Sequence, residues 1–186
     1  MAVPTTEVSG VATAIDGLLV FEVTRVEDDR GWFQEKFHRD KLVAAGLSPD
    51  FTVVQTSIAF NREGSTRGIH AEPWDKYVSL VDGKAFAAYV DLRPGLGFGT
   101  VVSVELSPTT AVFVPAGVGN SYQCLTDLHY IYSVNEHWTA EAYDKYTFVN
   151  LADSQLAINW PIPLPSAILS EKDKTHPPLR AAPGIP

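Results

Sequence analysis

Three ionisable side chains near the middle of the chain are candidates for chemistry. Arg67-Gly68-Ile69-His70 sets a guanidinium and an imidazole close together, and Lys76 follows shortly after. The next stretch, to Arg93, is strongly apolar. Tyr77, Ser79, Val81 and then Ala85, Ala87, Tyr89 alternate with Val78, Leu80 and Phe86, Ala88, Val90, and Asp82-Gly83 lies between the two runs. Alternation on either side of such a dipeptide predicts a β-hairpin closed by a two-residue turn. An apolar hairpin needs neither Arg67, His70 nor Lys76 for its own folding, so all three become candidate site residues.

Several other chemistries lack their residues. No glycine-rich phosphate loop of the P-loop or dinucleotide type is present. Cys124 is the single cysteine; it excludes an internal disulfide, lacks the context of a nucleophile and reads as core. A metal-binding barrel of the cupin type would need two histidines and a carboxylate near the hairpin and a third histidine later. Here His70 stands alone, Glu72 is the only nearby glutamate, and Asn120 occupies the later position after Pro115-Ala116-Gly117. No metal and no cofactor are expected.

Stepping outward, these residues must be positioned by short strands. Leu18 to Thr24, Trp32 to Phe37, Phe51 to Phe60, Val101 to Leu106, Ala111 to Val114, Ser121 to Leu125 and His129 to Asn135 all read as strands, separated by Gly- and Pro-bearing turns. The one convincing helix, Asp40 to Ala45, is stopped by Gly46. Many short strands with little helix predict an all-β sandwich or barrel. At 186 residues, 45% hydrophobic and 19% charged, the chain suits one domain with one core. The expected layout is a single domain over 1–186, with a core of about 18–165 and a C-terminal wrap over 166–186. Prolines at 161, 163, 165, 177 and 178 favour an extended tail.

A net charge of −8 argues against a nucleic-acid partner, though local arginines can still bind a small anion. The apolar runs fall short of a membrane span, and Met1 to Gly10 lack the pattern of a secretory signal. Cytoplasm is the default expectation.

Nine short motifs then occur in one order: Arg30-Gly31-x-Phe33-x-Glu35, Gln55, Arg67-Gly68-Ile69-His70, Lys76, Val90-Asp91-Leu92-Arg93, Gly97-x-Gly99, Pro115-x-Gly117, Trp160-Pro161 and Leu169-Ser170-x-Lys172-Asp173. From about Leu18 to Leu179 the chain resembles the dTDP-4-dehydrorhamnose 3,5-epimerase family, metal-free, cupin-like jelly-roll enzymes of deoxysugar nucleotide biosynthesis. The resemblance implies a dTDP-linked 4-keto-6-deoxyhexose as substrate, epimerised at C3, C5 or both. It also implies a homodimer that exchanges N-terminal strands and so removes an exposed sheet edge.

In the reaction the resemblance implies, a base takes a proton beside the carbonyl, a cation steadies the enolate oxygen, and an acid returns a proton to the opposite face. The base maps to His70, its orienting carboxylate to Asp173, and the enolate-stabilising lysine to Lys76. Arg30, Glu35, Gln55, Arg67 and Lys172 map to substrate-contacting positions, the arginines suiting a diphosphate.

The chain departs from the pattern at four places. The best register puts Trp138 where the family carries its tyrosine acid, and indole has no usable acid proton. His137 beside it could donate, but neighbours on a strand point to opposite faces; Tyr132 or Tyr130 is the fallback. Asn120 stands where a histidine is usual, Ser57 where an asparagine is usual, and the loop from His70 to Lys76 is shortened. The alternatives are a sugar-nucleotide ketoisomerase of related fold and a non-catalytic binder. The set His70, Asp173 and Lys76 favours an enzyme, since a binder has no use for a base–aspartate pair.

Overall fold

The computed structural model describes residues 5–185. Residues 1–4, where the reading of a leaderless start begins, and residue 186 lie outside it. In chain order the strands are β1 (Val8–Ala12), β2 (Leu19–Val23), β3 (Val26–Asp28) and β4 (Gly31–Phe33). Helix α1 (Arg39–Ala44) precedes β5 (Gln55–Asn61), β6 (Thr66–Ala71), β7 (Lys76–Asp82), β8 (Ala85–Asp91) and β9 (Val101–Leu106). Then come β10 (Thr110–Val114), β11 (Val118–Cys124), β12 (Leu128–Val134), β13 (Thr147–Phe148) and α2 (Glu171–Thr175).

Two antiparallel sheets form the jelly roll. A six-stranded sheet runs β1-β2-β10-β7-β12-β5 and a five-stranded sheet runs β13-β6-β11-β8-β9. Between them lies a core of Val78, Leu80, Tyr89, Leu106, Val112, Tyr122, Leu128 and Tyr130. β5, at one edge, shows the cleanest alternation: Gln55, Ser57 and Ala59 turn partly inward while Ile58 and Phe60 are exposed.

The central stretch holds the main correction. Both predicted strands exist, but they do not pair as a hairpin. β7 pairs with β10 and β12, whereas β8 pairs with β11 and β9. The Asp82-Gly83 turn carries the chain from one sheet to the other. Neither strand has a polar face to turn to water, so each is buried as an inner strand of a different layer. Gly83 has φ +77°, and a Cβ there would lie 2.5 Å from the Asp127 carbonyl oxygen. That crossover demands glycine.

Smaller differences concern boundaries. The strand expected over Trp32 to Phe37 stops at Phe33 and belongs to a two-stranded ribbon with β3. β1, with no clear signal of its own, completes the sheet on β2. α1 is displaced by one residue and closes before Gly46, whose φ is +110°.

The C-terminal segment carries short helices. Leu151, Leu156, Leu179 and Ile185 cover Ile69, Ala71, Val90 and Leu92 on the outer face of the five-stranded sheet. Gln123, fully buried on β11, clasps it: Gln123 Nε2 donates to the Ile162 carbonyl at 2.9 Å, and Ile162 N donates to Gln123 Oε1 at 2.7 Å. A buried amide with its partners satisfied fixes where the tail lies.

Candidate active site

A cavity of about 350 Å³ opens between the sheets. β6 supplies one wall. Gly68 lets this strand lie against β11: its φ is +114°, and a Cβ would meet Ser121 Cβ at 2.5 Å. Arg67 and His70 on either side of it then line the cavity. Arg67 is oriented by Nε donating to Asn61 Oδ1 at 2.7 Å.

His70 Nε2 lies 2.9 Å from Asp173 Oδ1. Asp173 comes from far along the chain, in the first turn of α2. There Ser170 caps the helix, accepting from Asp173 N at 3.1 Å and donating from Oγ to Asp173 Oδ2 at 2.9 Å. Burial pushes the Asp173 carboxyl upward, but the hydrogen bonds from His70 and Ser170 outweigh it and hold the group below the usual aspartate value. An ionised Asp173 accepts the Nε2 proton, which leaves Nδ1 as the basic nitrogen of His70. The imidazole is further fixed edge-on against Phe148, at 5.2 Å between ring centroids.

His70 does not stand alone. His176, three residues beyond Asp173, packs 5.5 Å from the His70 ring and stacks on Phe148 at 4.8 Å. Burial and the nearby His70 depress its pKa. The sequence offered only the spacing on α2 as a sign of it.

The opposite wall comes from the six-stranded sheet. Lys76, at the start of β7, is buried and ion-paired with the equally buried Glu72. Its Nζ also sits 5.4 Å from the centroid of the Tyr132 ring. On β12, Tyr130, Tyr132 and Val134 line the cavity at the period-two spacing of a strand. Tyr130 is committed to the core: it stacks on Tyr122 at 4.1 Å and donates to Asn120 Oδ1 at 3.2 Å. Burial drives its hydroxyl pKa well above the ordinary value. Tyr132 is half-buried, and among the described residues no hydrogen bond occupies its hydroxyl. Tyr143 and Tyr146 close the mouth.

The expected residues thus divide. His70, Lys76, Gln55, Arg67, Asn120 and Trp138 line the cavity, with Asp173 directly behind His70. Ser57 holds Gln55, accepting from its Nε2 at 3.1 Å, and Gln55 Oε1 accepts from Trp138 N at 3.1 Å. Lys172 stands at the rim, 5.0 Å over the Tyr143 ring. His137 lines a separate depression with Pro73 and Ala116; His137 and Trp138 both lie beyond the end of β12, off any strand, and Trp138 is the one that lines the cavity. Arg30 is fully exposed and paired with Asp28 on the β3–β4 ribbon, while Glu35 is bound to Lys41 and Thr6. Neither reaches the cavity of its own chain. Glu72, weighed from sequence only as a metal ligand, enters instead as the partner of Lys76.

Comparison with known proteins identifies the fold and the family. The sequence model of the dTDP-4-dehydrorhamnose 3,5-epimerase family matches residues 12–181. A protein of Streptococcus pyogenes described as an RmlC homolog is 43% identical over 168 residues, 88% of this chain and 85% of that one. A dTDP-4-dehydrorhamnose 3,5-epimerase of Methanothermobacter thermautotrophicus is 30% identical over 93% of this chain and 95% of its own. Among solved structures, RmlC from Streptococcus suis in complex with dTDP-D-xylose superposes with a TM-score of 0.91 at 39% identity, covering 95% of this chain and 94% of that one. The jelly roll is shared along nearly the whole chain, and the protein belongs to the dTDP-4-dehydrorhamnose 3,5-epimerase family.

Proposed function

We propose that this protein epimerises a dTDP-linked 4-keto-6-deoxyhexose at the two carbons flanking its carbonyl. The observation that carries this reading is the division of labour across the cavity. His70 stands in the five-stranded sheet, Tyr132 in the six-stranded sheet, and the Lys76 ammonium beside Tyr132. His70 Nδ1 takes the proton from the carbon beside the carbonyl, and Asp173 steadies the imidazolium that results. The electron pair moves onto the carbonyl oxygen, where Lys76 stabilises the enolate. Tyr132 O–H then protonates the carbon from the opposite face, and solvent restores both groups. Both carbons adjoin the same carbonyl, so one lysine serves both. Arg67 at the mouth binds the diphosphate.

Arg30 and Glu35 contribute in a homodimer. The β3–β4 ribbon projects from its own sandwich with Trp32 and Phe33 exposed, and Ile58 and Phe60 lie exposed on edge strand β5. A second copy covers these faces and carries its ribbon to the neighbouring cavity. No described helix is long and apolar enough to cross a membrane.

The test is deuterium uptake from D₂O into a dTDP-4-keto-6-deoxyhexose, followed by NMR. Exchange with inversion at C3 and C5 is expected. Binding without exchange would reduce the protein to a sugar-nucleotide binder. For the dimer, mixing inactive His70→Asn with inactive Arg30→Ala should restore activity, because one of the two shared sites is then intact. Absence of rescue, with exchange of subunits verified, would overturn the shared site.

A further inference from the structure

Asp173 Oδ1 has two imidazoles beside it. His70 Nε2 lies at 2.9 Å and His176 Nδ1 at 3.8 Å, and the three atoms fall within 4.8 Å of one another. The His176 side chain is 10% exposed, and its Nδ1 is buried with no hydrogen-bond partner. At 3.8 Å the nitrogen is too far from the carboxylate to hydrogen-bond it. An unpartnered buried nitrogen aimed at a carboxylate oxygen is the arrangement that a cation between them would satisfy.

We propose that His70, Asp173 and His176 form a Zn²⁺ site whose occupation switches the enzyme off. Two imidazoles and a carboxylate are a zinc ligand set. Tetrahedral zinc with bonds of about 2.0–2.2 Å holds its ligand atoms roughly 3.3–3.5 Å apart. The observed 2.9 and 3.8 Å bracket that spacing. Metal at Nε2 displaces the proton that His70 shares with Asp173, and that proton moves to Nδ1. With Nδ1 protonated and Nε2 bound to metal, the imidazole has no lone pair left to act as the base. Water completes the shell at the fourth position. The site is therefore inhibitory: chelator-treated protein keeps its activity, and added zinc removes it.

The inhibitory consequence rests on His70 being the base, but the site itself does not, so binding is read without substrate. Metal-free full-length protein is titrated with Zn²⁺ by calorimetry and with Co²⁺ by visible absorption. One Zn²⁺ per chain and a tetrahedral Co²⁺ spectrum are expected. His176→Phe, which keeps the stack on Phe148, should weaken binding by more than the roughly 10–100-fold that loss of an outer-sphere partner costs. His176→Gln provides a second variant in case the first does not fold. His129→Gln, which breaks the exposed His129–Asp82 pair, should leave binding unchanged. No zinc bound by the unmodified protein, equal affinity in both His176 variants, or loss of binding in His129→Gln would each overturn the proposal.

Discussion

Tyr132 and His70 belong to different sheets, yet their side chains line one cavity. A phenol on one wall and a carboxylate-backed imidazole on the other are placed to give and take protons on opposite faces of anything bound between them. The predicted sequence register assigned that position to Trp138. The spacing of Tyr130, Tyr132 and Val134 along β12 brings Tyr132 to the cavity that Trp138 also lines.

Tyr132→Phe should therefore keep deuterium washout while losing inversion by about 10²–10⁴-fold, the usual contribution of a general acid. Trp138→Phe should alter KM more than kcat, since its backbone N–H, not its ring, makes the bond to Gln55. His137→Phe should behave as the unmodified enzyme. Full inversion by Tyr132→Phe would return the acid to another residue.

His70→Asn and Asp173→Asn both strike the base. The first should abolish exchange, by about 10²–10⁴-fold or more, while leaving nucleotide binding intact. The second keeps the cap from Ser170 but removes the charge that orients the ring, so kcat should fall with little change in KM. Near-normal exchange by either variant, measured by NMR in D₂O, would refute the assignment.

Glu72→Gln tests the buried ion pair. Losing one partner of such a pair leaves the other charge uncompensated, at a cost of about 3–5 kcal/mol. The expected result is a lower melting temperature, relieved in the double variant Glu72→Gln/Lys76→Met, which regains stability but no activity. A single variant as stable as the parent would mean that the pair carries no weight.

Asp91 gives a pH dependence with a definite sign. Burial raises its pKa, but Arg93 N, Nε and Nη2 donate to it at 3.0, 2.9 and 2.8 Å and bring the folded value below the ordinary aspartate value of 3.8. A depressed carboxyl stabilises the fold above its unfolded pKa, and that stabilisation is lost as pH falls through the folded value. Arg93→Met should cost about 3 kcal/mol near neutral pH and progressively less below pH ~4. Urea unfolding of both proteins at the two pH values measures the gap. An equal gap at both would disprove the linkage.

The sequence by itself determined the β-rich class, nine of the thirteen strands in outline and the lack of a phosphate loop, and it picked out His70, Lys76 and Asp173 as a set. Period-two alternation and turn residues are local signals, and the ordered motifs need no geometry to be recognised. Tertiary structure decided what each strand pairs with and which way each side chain turns. β7 and β8 are adjacent in the chain and apolar on both faces, so nothing local distinguishes a hairpin from a crossover; burial in two layers settles it. His70 and Tyr132 came to line one cavity, and Asp173 and His176 came to His70, for the same reason. Each depends on residues far apart in sequence being carried to one place by the packing of two sheets and the tail that wraps them.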